Sequence, residues 1–171
     1  MVFLQETHPK DIDNMVAAQQ YAAMWGYKHN MAGKYSLWSS GRERRAGVAI
    51  LVNPYGAVKD VHPWREEYWT EHIMIVTGMI AEKHFIFVNI YAPSAGQARI
   101  AFYRSLTRIT FPAGVTMVWG GDFNCVVNLS MARVGSNRRD DMGAKRLEHL
   151  LQLHGLEDAG GYTLPQLTTH Q

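Results

Sequence analysis

Two β-rich runs, Ile73–Ala81 and Phe85–Tyr91, are separated only by Glu82-Lys83-His84. Parallel pairing needs a crossover of roughly a dozen residues or more, so these runs can meet only as an antiparallel hairpin. The rest of the chain must be built around that hairpin. Upstream, Met1–Leu4 reads as a strand that ends before Pro9, because proline cannot donate to a ladder. Residues 11–25 have helical spacing, with Asp11 as N-cap and Ile12, Met15, Val16 and Ala23 near one face. Ala46–Val52 is a short apolar strand closed by the turn Asn53-Pro54-Tyr55-Gly56.

Downstream, Ala98–Ile109 carries helical spacing through Ile100, Tyr103, Leu106 and Ile109. Val115–Trp119 reads as a buried strand closed by Gly120-Gly121. Lys145–Leu153 reads as a helix with Leu147, Leu150 and Leu151 on one face, and Gly155 stands at its C-terminal cap position. Residues 57–71 and the tail from 158 show no clear pattern, and 128–141 are loop-like. Interspersed strands and helices around a central hairpin predict an α/β layered architecture with mixed sheets. A length of 171 residues suits one unit spanning 1–171, since domains run to about 100–200 residues.

Composition excludes several classes. Hydrophobic residues are 47% and charged residues 19%, which is folded rather than disordered composition. A net charge of +2 permits a polyanionic partner without arguing for one, and the basic groups Arg42, Arg44, Arg45 and Arg133, Arg138, Arg139 read first as solvated loops. With Cys125 as the single cysteine no intrachain disulfide can form. A reducing compartment, nuclear or cytoplasmic rather than secreted, is expected. Cys125 reads as a small buried hydrophobe. No apolar run reaches the ~18 residues of a membrane span, so no membrane partner is expected. Neither a phosphate-binding glycine loop, a dinucleotide fingerprint nor paired-cysteine zinc spacing occurs.

Three polar clusters stand at strand ends, where a rigid scaffold displays reactive groups. In Leu4-Gln5-Glu6-Thr7-His8, Glu6 is either a solvated strand-end carboxylate or a ligand for a hard cation. In Val88-Asn89-Ile90-Tyr91-Ala92-Pro93-Ser94, Asn89 and Tyr91 share a face by strand alternation. Tyr91 either packs at a sheet rim or donates to a phosphoryl oxygen, with Asn89 and Ser94 as substrate contacts beside it. In Trp119-Gly120-Gly121-Asp122-Phe123-Asn124, the same alternation puts Asp122 and Asn124 together. That segment is either a plain turn or a carboxylate that orients water beside an amide that holds developing charge. The two glycines admit close approach of another backbone or a ligand.

The order of these clusters, LQETH, RAGVAIL, VNIYAPS and GGDFNCV, followed by a leucine-rich helix ending in HGLED, resembles the endonuclease/exonuclease/phosphatase superfamily. It is most similar to the endonuclease domains of non-LTR retrotransposon polyproteins, from Met1 to about Asp158. The resemblance implies a four-layer sandwich of two mixed sheets flanked by helices. It also implies Mg²⁺-dependent hydrolysis of DNA phosphodiesters, with Mn²⁺ as a substitute ion. By motif position, Glu6 is the metal ligand, Tyr91 contacts the scissile phosphate, Asp122 positions the attacking water, and Asn124 is its partner.

Two family features have no counterpart: a strand ending in asparagine before LQETH, and a closing Ser-Asp-His segment. His170 is not carried over to that role. The expectation is a domain incomplete at both termini, with weak or no hydrolysis by this stretch, and with a complementary polypeptide filling the missing strands. The competing expectation is a non-catalytic module that binds nucleic acid or protein.

Overall fold

A computed structural model describes residues 1–8, 11–27, 32–39, 46–125 and 142–159. Among the described residues, seven strands form two sheets. The first has the order β1-β3-β2, from Val2–Gln5 (β1), Ser36–Trp38 (β2) and Val48–Leu51 (β3), all paired antiparallel. The second has the order β4-β5-β6-β7, from Lys59–Pro63 (β4), Ile73–Ile80 (β5), Lys83–Tyr91 (β6) and Thr116–Asp122 (β7). The expected hairpin is its centre, with Ile73 opposite Ile90 and Ile80 opposite Lys83. Its turn is Ala81-Glu82, both at positive φ, one step earlier than the sequence suggests. That two-residue, left-handed turn matches the twist of the flanking strands. β7 joins β6 in parallel after the crossover helix Gly96–Leu106 (α3), which makes this sheet mixed.

Strand alternation divides the second sheet into two apolar faces. Ile73, Ile75, Ile86, Val88 and Ile90 face Tyr103 and Leu106 of α3 and Leu147 and Leu150 of the helix Ala144–His154 (α4). Met74, Val76 and Phe87 face the other way, onto Val48, Ile50, Val52 and Leu37 of the first sheet. The helix Asp11–Met24 (α1) packs against β2 and the short helix Ala32–Tyr35 (α2), and Tyr21 donates to the Val52 carbonyl at 3.3 Å. The result is helix, sheet, sheet, helix. No helix among the described residues is long and apolar enough to cross a membrane.

Several expectations change at the level of packing. Among the described side chains of α1, Ala18 and Ala22 are buried, while Met15 and Val16 are exposed. Small side chains let the helix lie close to its neighbours, with Met15 and Val16 left outside. The α3 helix ends at Leu106, and Ile109 is buried from the turn beyond it. Residues 57–71, unreadable in sequence, hold β4 and the 3₁₀ turn Glu66–Tyr68. Gly155 caps α4 as expected, in the left-handed region. Cys125 is half-buried against the helix-side core. The arginine groups, the 128–141 loop and the tail from 160 lie outside the described residues.

One polar residue joins the two sheets. Asn89 on β6 has no exposed surface. Its Oδ1 accepts from Gln5 Nε2 at 2.8 Å, and its Nδ2 donates to the Leu4 and Ala49 carbonyls at 3.0 and 2.9 Å. Truncation would remove three hydrogen bonds, one to a buried and two to half-buried partners, and each buried polar group left unpaired costs about 1–3 kcal/mol. Asn89→Ala is expected to lower unfolding free energy by about 3 kcal/mol in urea denaturation. A loss under about 1 kcal/mol would show that the sheets associate without this bridge.

Candidate active site

Glu6, Tyr91 and Asp122 come from three elements, and the fold brings them to one corner. Tyr91 ends β6 and sits opposite Asp122, the last residue of β7, in the parallel register. Glu6 follows β1 in the other sheet. Its Oε1 accepts from the Tyr91 hydroxyl at 2.6 Å. Tyr91 and Asn89 do share a face of β6, as alternation predicts, because both reach across to the first sheet. Glu6 and Asp122 are exposed, and Tyr91 is half-buried.

The corner is held by backbone geometry that ordinary strands do not have. Glu6 and His8 are at positive φ, as are Ala46 and Asn124. Non-glycine residues hold that region only when their surroundings enforce it. Here Thr7 N–H donates to Gly47 O at 3.2 Å, and His8 N–H to Ala46 O at 3.0 Å. Gly121 has φ near 125°, and a Cβ there would collide with the Ile90 carbonyl. The neighbouring Gly120 leaves room for the Phe3 ring, since a Cβ would meet it at 2.8 Å. The glycine pair therefore admits one backbone and one side chain, both from this chain.

Asp122 and Asn124 meet by a different route from the one alternation predicts. The strand ends at Asp122, and Asn124 lies beyond it in the left-handed region. Asn124 N–H donates to Asp122 Oδ1 at 2.8 Å, which closes an Asx turn. The Asn124 side chain folds back to donate to the Ala92 carbonyl at 2.7 Å, while Ala92 N–H donates to Asp122 O at 2.8 Å. Tyr103 braces the same turn by donating to the Phe123 carbonyl.

Asn89 departs from the expected substrate contact. It is fully buried with both ends of its amide engaged, so no ligand can reach it. Ser94 is exposed in the loop after β6, and its carbonyl accepts from Arg99 Nη1 at 2.8 Å. Arg99 is itself buried. It also donates to Met142 O at 2.9 Å, tying the Pro93–Ser94 loop to the start of α4. Neither Gln5 nor Arg99 stood out in the sequence. The available signal was a polar or charged residue inside an otherwise apolar stretch.

The electrostatics centre on Tyr91. Its hydroxyl pKa is pushed up to about 12, chiefly by the hydrogen bond to Glu6, then by burial and the charges of Glu6 and Asp122. Two carboxylates around one phenol form a negative cluster of hard oxygens. That donor set fits Mg²⁺, which takes one or two protein carboxylates and completes its octahedron with water and substrate phosphate.

The model of the Endonuclease/Exonuclease/phosphatase family matches residues 1–171. Among solved structures the chain is similar to the endonuclease domain of TRAS1, a telomere-specific non-LTR retrotransposon. There the identity is 15% and the TM-score 0.48, covering 82% of this chain and 66% of that one. It is similar to truncated Caenorhabditis elegans TDP2 at 19% identity and TM-score 0.42, covering 78% and 52%. It is also similar to D. rerio TDP2 complexed with single strand DNA product, at 12% and 0.43, covering 94% and 68%. The chain thus spans just under two thirds of the first of these structures and about half of the second. No curated protein matches.

The raised Tyr91 pKa has a definite sign. The neutral phenol is favoured in the folded state, so its stabilisation is complete below the ordinary value of 10.0. It is lost as pH rises through about 12. In metal-free buffer, Glu6→Gln is expected to bring this titration down toward 10.0, seen as tyrosinate absorbance appearing at lower pH than in the parent. An unchanged titration curve would mean that Glu6 does not hold the phenol.

Proposed function

The chain belongs to the endonuclease/exonuclease/phosphatase family, and from that premise we propose that the Glu6–Tyr91–Asp122–Asn124 corner hydrolyses DNA phosphodiesters with Mg²⁺. The observation that carries this is the meeting of Glu6 and Tyr91 across the two sheets, with Asp122 in register beside them. Residues 1–171 are read as part of one such domain, of the retrotransposon endonuclease type. The VNIYAPS and GGDFNCV segments support that branch.

Glu6 would hold the metal, which would neutralise phosphate charge and stabilise the leaving oxygen. Tyr91 carries its proton at neutral pH, as any phenol does, and the hydrogen bond to Glu6 holds it there more firmly. That proton is donated to Glu6 in the free protein, and an arriving phosphoryl oxygen competes for it. The Asx turn fixes one oxygen of Asp122. The other oxygen accepts from the attacking water and orients it toward phosphorus. Asn124 spends one amide hydrogen on Ala92, which leaves the second to face developing negative charge. Turnover by this stretch is expected to be slow, because its sequence holds no Ser-Asp-His segment.

Supercoiled plasmid tests the reading. The protein is expected to nick it slowly with Mg²⁺, to stop in EDTA, and to lose about 100-fold or more in rate on Asp122→Ala. Nicking that survives EDTA or the substitution would contradict the proposal. So would folded protein that binds plasmid without nicking it, which would leave a nucleic-acid-binding module.

A further inference from the structure

Tyr91 is gripped from a third direction, by a residue outside the four motifs. His72 stands one position before β5, where the β5–β6 ladder would otherwise run out. Tyr91 N–H donates to the His72 carbonyl at 2.9 Å. In return His72 Nδ1 lies 2.7 Å from the Tyr91 carbonyl. A carbonyl only accepts, so Nδ1 carries the proton, and the contact fixes the ring's orientation. The His72 ring sits between the rings of Tyr91 and Phe102, at centroid distances of 5.8 and 5.7 Å. Thr70 Oγ1 accepts from His72 N–H at 3.1 Å, so the corner is itself braced.

The same corner also reaches the segment that carries Glu6. The Glu71 carbonyl accepts from Gly47 N–H at 3.0 Å, and the Gly47 carbonyl accepts from Thr7 N–H at 3.2 Å. The path from Tyr91 through His72, Glu71, Gly47 and Thr7 to Glu6 closes on the 2.6 Å bond from Tyr91 to Glu6. A ring of hydrogen bonds thus encloses the contact between the sheets, and the His72 side chain is its only member that is neither backbone nor one of the two joined residues.

We propose that His72 is a positioning residue, whose Nδ1–H clamps the Tyr91 backbone so that the phenol meets Glu6. This deepens the catalytic reading above and rests on it for its effect on turnover, but not for its effect on the structure. A loosened clamp lets Tyr91 and the Gly47 segment drift apart, and small misplacements at a reacting centre cost large factors in rate.

Three variants test it. His72→Ala removes the donor, His72→Asn restores an amide N–H near the Nδ1 position, and His72→Gln carries its donor one bond further out. Backbone amide exchange at Tyr91 and Gly47, relative to Val88 in the middle of β6, is the first readout. His72→Ala is expected to speed exchange at both sites about tenfold, while His72→Asn holds it near the parent. Plasmid nicking is the second readout, with kcat about tenfold lower in His72→Ala, KM unmoved, and His72→Asn rescuing. If His72→Ala does not fold, the contrast between His72→Asn and His72→Gln decides. Unchanged exchange, or a His72→Asn variant no better than His72→Ala or His72→Gln, overturns the proposal. Altered exchange in a protein that never nicks would leave the clamp standing and remove the catalytic reading instead.

Discussion

Asn89 lies in the seam between the sheets with no exposed surface, and its amide is committed at both ends to Gln5, Leu4 and Ala49. Around it the seam is packed with apolar side chains, Phe87, Met74 and Val76 against Ile50, Val48 and Leu37. Apolar contact favours association but tolerates sliding, because it is non-directional. A buried amide with three partners does not tolerate it, since any shift leaves polar groups unpaired in a low-dielectric interior. Asn89 therefore sets how the sheets register on one another.

That register decides the geometry two residues later. Strand alternation places Tyr91 on the same face as Asn89, so the bond to Gln5 at one position presents the phenol to Glu6 at the next. The parallel pairing of β6 with β7 then puts Asp122 beside Tyr91. Four residues at this corner, Glu6, His8, Ala46 and Asn124, are left-handed. Such conformations persist where the surroundings over-determine them, and here backbone bonds to Gly47 and Ala46 and the Asx turn at Asp122 supply that constraint.

Local features were legible in the sequence. Hairpin, C-terminal helix and glycine cap follow from periodicity and turn chemistry, and Glu6, Tyr91, Asp122 and Asn124 stood out as polar residues at strand ends. Features decided by tertiary partners were not legible. β2 is only three residues, Ser36–Trp38, and β4 is the polar stretch Lys59–Pro63, which is a strand because β5 offers it a ladder. As an edge strand it also tolerates proline. α1 buries Ala18 and Ala22 and exposes Met15 and Val16, which depends on the gap available. Asn89 looked like a substrate contact because it is polar and shares a face with Tyr91. Only the opposing sheet shows that this face is fully covered at Asn89 and partly open at Tyr91. His72 and Arg99 act on backbone carbonyls, and carbonyl positions leave no trace in residue type.

The cation site we propose on Glu6, against Tyr91 and Asp122, depends on the two sheets being held in register. A diffraction structure of the chain with Mn²⁺ in place of Mg²⁺ tests it most directly. An anomalous peak is expected at about 2.1 Å from the Glu6 carboxylate, with Tyr91 beside it and Asn89 still bridging to Gln5. A bridge intact but no metal at Glu6, or Glu6 turned away from Tyr91 with the ion bound elsewhere, would contradict it.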